Sequence, residues 1–200
     1  MKFHCECSYC VGEATKSYTW QVSPRLIWVE IPKNASQSIK TRYLSDKTFK
    51  MHNKKTINTE YFKEGFVILR DPVSRFKSLL AHYFLPSGGR YRSGKKWLDT
   101  YLAGRKIDEN NLCELVLSKF HNIKDIEEPH HWSTQSSFIP KEFYNLEKPH
   151  FLGMDWVNTK FPFQNRSRSE LINITDIEIR KIKQLYAEDY NLIKTTKGEI

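Results

Sequence analysis

The chain has 200 residues, enough for one domain with a sizeable core, and its 12 Phe, 10 Tyr and 5 Trp exclude a disordered chain. Its formal charge of +9 points to anionic partners: a nucleotide, an acidic glycan or nucleic acid. No apolar run is long enough to span a membrane, and the first ten residues lack the apolar stretch of a signal peptide, so the expectation is a cytoplasmic protein with no membrane span.

Residues 1–24 read as an N-terminal tail or edge segment, and residues 25–200 as a single domain. Cys5, Cys7 and Cys10 cluster beside His4, with Cys113 far away. Structural zinc sites join two well-separated ligand groups, so the cluster reads as reduced thiols in a tail and no metal site is expected.

Residues 26–31 form an apolar run suited to a strand buried on both faces, and Pro32 ends it because it has no N–H for a ladder. Ser36 or Ser38 then caps a helix reaching about Leu44. A loop between a strand end and a helix start presents free backbone N–H groups and the positive end of the helix dipole. With Lys33 and the side chains of Asn34, Ser36, Gln37 and Ser38, that loop is an anion seat. The alternative is an ordinary strand-to-helix turn with a solvated lysine.

Residues 66–69 read as a second short buried strand, and Arg70 stands at its exit. Asp71 is a helix N-cap, Pro72 suits the first helical position, and Val73, Phe76, Leu80 and Tyr83 make a core-facing stripe. An arginine fork and a hydroxyl near a helix start suit a phosphate. In the plainer alternative Arg70 pairs with a structural carboxylate, as is expected of Arg75.

The two stretches Ile31-Pro32-Lys33-Asn34-Ala35-Ser36-Gln37-Ser38 and Val67-Ile68-Leu69-Arg70-Asp71-Pro72-Val73-Ser74-Arg75-Phe76-Lys77-Ser78 resemble the paired cofactor motifs of sulfotransferases. The likeness is to Golgi-type carbohydrate sulfotransferases and their bacterial relatives. It implies that residues 33–38 grip the 5′-phosphosulfate of 3′-phosphoadenosine 5′-phosphosulfate (PAPS), and that Arg70 and Ser78 hold its 3′-phosphate. It implies an α/β fold of the P-loop-like sulfotransferase kind: a central, mostly parallel sheet with flanking helices. It also implies transfer of a sulfuryl group to a hydroxyl, of a carbohydrate by family default, with no catalytic metal.

Further along, His131, Trp132 and Gln135 match the family's His-Trp-x-x-Gln segment, with Thr134 where proline is usual. Asn165, Arg166 and Ser167 match its Pro-x-x-Asn-x-Ser segment. Related enzymes take an acceptor-side base from between the two cofactor motifs, which makes His52 a candidate beside His131; His130 and His82 rank below. Residues 86–96 read as a glycine-rich basic loop that either closes over an anionic acceptor or merely connects. Helices are expected over residues 97–102 and 111–120, a strand over 143–146, a short helix over 155–161 and a long closing helix from Thr175 to Tyr190, opened by the capping box Thr175/Glu178.

Two rival classes remain. A nucleotide-dependent kinase would need Gly-x-x-x-x-Gly-Lys-[Ser/Thr], whereas no glycine lies between Gly12 and Gly65 and Lys33 precedes its loop. A basic nucleic-acid-binding module is compatible with the charge and the aromatics, but the aromatics fall on core stripes and no recognition motif accompanies them.

Overall fold

The computed structural model describes residues 18–44, 52–54, 56–89, 91–92, 94–95, 108, 110–119, 129–160 and 168–196. The expected helix over 97–102 and the N-terminal cysteine cluster lie outside them. The chain divides into two compact units.

The first unit draws on Glu13–Arg70, Thr134–Asn165 and Asn191–Ile200 and carries the sheet. Strand β1 (Thr19–Ser23) turns at Pro24 and Arg25 into β2 (Leu26–Val29), and so short a turn makes the pair antiparallel. Helix α1 (Ser36–Leu44) follows, then β3 (His52–Lys54), which pairs antiparallel with β1. Strands β4 (Glu64–Leu69) and β5 (Lys148–Gly153) run parallel to β2, giving a five-stranded order β3-β1-β2-β4-β5. The expected mostly parallel sheet is therefore mixed. Three strands are parallel, and the antiparallel part comes from β1 and β3. The segment read as a tail or edge thus supplies β1, an interior strand.

Alternation along β2 and β4 sends side chains to both faces, as a strand of period two must. Ile27, Val29, Val67 and Leu69 pack with Phe143, Leu146, Phe151, Leu192 and Ile193. Trp28, Phe66 and Ile68 pack with Val22, with Ile39 of α1 and with Val157 of helix α5 (Met154–Lys160). Gly65 of β4 is a packing glycine: a Cβ there would stand 2.6 Å from Leu146 Cδ1 and 2.8 Å from Phe143 Cε2.

The strand expected over 143–146 is instead a 3-10 helix, Lys141–Asn145, and the strand is β5 a few residues later. As the outermost strand of the sheet, β5 needs no continuous apolar run, and it tolerates Pro149. Only Phe151 within it is buried.

The second unit includes Asp71–Ser133 and Arg166–Tyr190. Helix α2 (Pro72–Phe84) starts as its sequence dictates, with the Asp71 carboxylate accepting from Ser74 N–H. Around it lie α3 (Leu112–Lys119), the one-turn α4 (Pro129–Trp132) and α6 (Asp176–Leu185), with Phe76, Leu79, Tyr83, Val116, Trp132, Ile182 and Tyr186 in one core. The Thr175/Glu178 capping box is formed. The single closing helix expected to Tyr190 is two: α6 ends at Leu185 and α7 (Ala187–Thr196) follows. The break is Tyr186, at φ −112°, ψ 33°, whose buried hydroxyl donates to Trp132 O.

Candidate functional site

The apolar run of β2 gives way to polar residues after Ile31, and the chain leaves the sheet there. Lys33 and Ala35 both take left-handed backbone, at φ 71° and 61°. Residues with a Cβ adopt that region at a cost of about 1–2 kcal/mol each, so surrounding bonds must hold the loop. Asn34 N–H donates to Ile31 O at 3.1 Å, and the Ser36 hydroxyl donates to the same carbonyl at 3.1 Å. Helix α1 begins at Ser36, with Ile39 N–H meeting Ala35 O. Ser36 is thus the first residue of α1, and its hydroxyl reaches back to the strand end.

Asn34 and Ser38 are buried, Lys33, Ala35 and Ser36 half-buried, and Gln37 exposed. The Asn34 side chain faces inward: its Nδ2 donates to Ile68 O at 2.7 Å and to Gln135 Oε1 at 2.5 Å. Among the described residues its Oδ1 meets no hydrogen-bond donor.

Arg70, at the carboxyl end of β4, turns to this loop, for its Nη1 donates to Lys33 O at 3.0 Å. The Arg70 backbone is held by Gln135, whose Nε2 donates to Arg70 O at 2.8 Å and whose Oε1 accepts from Arg70 N–H at 3.0 Å. The carboxylate nearest the loop in sequence, Glu30, is buried and neutralised locally. Lys40 of α1 meets its Oε1 at 2.8 Å, and Trp20 Nε1–H donates to its Oε2 at 2.8 Å. Its negative charge is thereby balanced before it can oppose an anion at the loop.

The first unit therefore brings together Lys33, Asn34 and Arg70. Within it the β3 backbone places His52 opposite Gln21, and Gln21 opposite Ile27. His52 sits in a row two residues before Val29, the end of β2.

Ser78 and His131 belong to the second unit. Ser78 is buried within α2. His131 is half-buried, with Nδ1 2.9 Å from the hydroxyl of the buried Tyr83, and its ring lies 5.9 Å from that of His82. The segment around it is pinned through its backbone. Arg75 donates to His131 O and Ser133 O, both at 2.8 Å, and Tyr186 donates to Trp132 O at 2.8 Å. Arg75 thus serves backbone carbonyls; burial lowers its pKa, while Tyr186 and Asp189 pull it back up. Asn165, Arg166 and Ser167 lie outside the described residues, as does the side chain of His130.

Sequence reasoning did not find the bracing role of Gln135. Its only signal was its place in the His-Trp-x-x-Gln match. Among the described residues no cluster of three or more potential metal ligands forms, and no helix is long and apolar enough to cross a membrane. No family model, curated protein or solved structure matches the chain.

Proposed function

We propose that the protein is a sulfotransferase that moves a sulfuryl group from PAPS to a hydroxyl, with a carbohydrate as the favoured acceptor. The observation that carries this reading is the 3.0 Å bond from the Arg70 guanidinium to Lys33 O. It joins the lysine-bearing loop to the arginine-led strand exit, the two stretches whose order in the sequence resembles the PAPS motifs.

In this reading the Lys33 ammonium and the loop N–H groups hold the 5′-phosphosulfate, with Asn34 and Gln135 keeping the loop in shape. The resemblance assigns Arg70 and Ser78 to the 3′-phosphate, and Asn165, Arg166 and Ser167 to the flank of the nucleotide. The S–O bond to the 5′-phosphate breaks as the acceptor oxygen bonds sulfur, roughly in line as in phosphoryl transfer. Charge growing on the leaving phosphate is met by Lys33, a contribution worth about 10²–10³ in rate for one such donor. The acceptor's proton passes to a base, for which His131 and His52 are the candidates, worth about 10²–10⁴. No step calls for a metal.

A thermal-shift panel followed by a labelled-sulfate transfer assay tests the reading. Stabilisation by adenosine 3′,5′-bisphosphate, and transfer of label from PAPS to a glycan or small alcohol, are the expected results. Stabilisation by ATP with Mg²⁺ instead would make the protein a kinase-like enzyme, and stabilisation by oligonucleotides alone a nucleic-acid-binding module.

A further inference from the structure

Gln135 is completely buried, and its amide bonds to both candidate anion stretches, to Asn34 on one side and to the Arg70 backbone on the other. By meeting both N–H and C=O of Arg70 it takes the place a neighbouring strand would fill where β4 ends. This pairing fixes which end of the amide is oxygen, since Arg70 N–H requires an acceptor and Arg70 O a donor. The same Oε1 accepts from Asn34 Nδ2, which in turn fixes the Asn34 amide, whose second partner is Ile68 O. The path runs on through the chain from Asn34 to Lys33, and Lys33 O receives the Arg70 guanidinium. Arg70 backbone, Gln135, Asn34, Lys33 and Arg70 side chain thus form a closed circuit of bonds. Gln135 is the only member that belongs to neither loop.

We infer that Gln135 is a positioning residue that fastens the Arg70 exit to the Lys33 loop, so that nucleotide affinity depends on it without its touching the nucleotide, a role that rests on the sulfotransferase reading. The loop holds two left-handed residues that its own sequence does not favour. Opening the circuit lets it relax and separates the groups that must act on one ligand.

Two variants test this. In Gln135→Glu the protonated acid reproduces the wild-type pattern, its carbonyl accepting from Arg70 N–H and Asn34 and its O–H donating to Arg70 O. The carboxylate instead sets a negative oxygen against Arg70 O. Affinity of Gln135→Glu for adenosine 3′,5′-bisphosphate, divided by that of the wild type at each pH, should therefore be low at about pH 8 and recover about tenfold or more by about pH 5. In Gln135→Leu, hydrogen exchange at the Asn34 backbone amide, which itself bonds Ile31 O and not Gln135, should quicken while the exchange of α2 stays as it was. Should Gln135→Leu not fold, the same exchange measurement on Gln135→Glu at the two pH values takes its place. A pH-independent affinity ratio together with unchanged exchange at Asn34 overturns the role of Gln135. A wild-type protein that binds no nucleotide, with exchange at Asn34 still responding, overturns the sulfotransferase reading and leaves the fastening in place.

Discussion

Arg75 holds the carbonyl of His131 at 2.8 Å from a position only 1% exposed, and its second Nη holds Ser133 O. Sequence pattern alone casts this residue as a partner for a structural carboxylate. The structure makes it the internal brace of the His131–Ser133 segment. Arg75→Met removes both donors at once and takes a cation from beside the buried Asp189. The expected loss is about 3–5 kcal/mol. Arg75→Lys should lose less, because an ammonium can keep one of the two bonds but not the fork. Urea denaturation with an unchanged m-value is the measurement, and a loss under about 1 kcal/mol for Arg75→Met would contradict a bracing role.

On the proposed function, Lys33→Ala and Arg70→Ala should each abolish sulfuryl transfer, a fall of at least about 10²–10³, while the protein remains folded. Far-UV circular dichroism and thermal melts check the fold, and single-turnover assays with PAPS check the chemistry. Either variant turning over near the wild-type rate would remove the assigned role.

Gly65→Ala should cost about 1–3 kcal/mol, the range for overpacking a filled core. The added Cβ would fall 2.6 Å from Leu146 Cδ1, 2.8 Å from Phe143 Cε2 and 3.0 Å from Ile27 Cγ1, three side chains already committed to one face of the sheet. Pairing Gly65→Ala with Leu146→Ala should recover part of the loss, and a double-mutant cycle measures how much.

Stability should fall in alkali. Burial raises the Cys113 thiol above its ordinary 9.0, and the neighbouring Glu178 carboxylate raises it further. Burial likewise raises Tyr186 above 10.0, with Arg75 opposing and Asp189 adding. Both groups keep their protons in the folded chain at pH values where the unfolded chain has released them. The unfolded state then binds fewer protons, so their contribution is intact below about pH 9 and declines as pH rises beyond it. Melting temperatures recorded across that range should drop, and in Cys113→Ala the decline should begin about one pH unit later, where tyrosine ionises.

Where the sequence carried strong local signals, the fold was legible. The apolar run into Pro32 marks β2 and its exit, Asp71-Pro72 opens α2, and Thr175 with Glu178 opens α6. Strands β1 and β5 escaped, because β1 owes its interior place to β3 and β5 its place to β4, pairing partners distant in sequence. The break at Tyr186 escaped for a related reason, since the bond to Trp132 O is a tertiary contact that periodicity does not encode. At the site, Lys33, Asn34 and Arg70 stood out as chemistry. Gln135 did not, because the three bonds that tie its amide to the site cross gaps of 65 to 101 residues and leave no mark on its immediate neighbours.

The β2–α1 turn bends into left-handed backbone at a lysine and an alanine, with no glycine among its residues. A glycine hinge would leave such a turn slack until a guest arrived, and ordering it would then subtract from the grip. Here the shape is set by the bonds within the folded chain, so an anion bound as proposed would meet a mould already hardened.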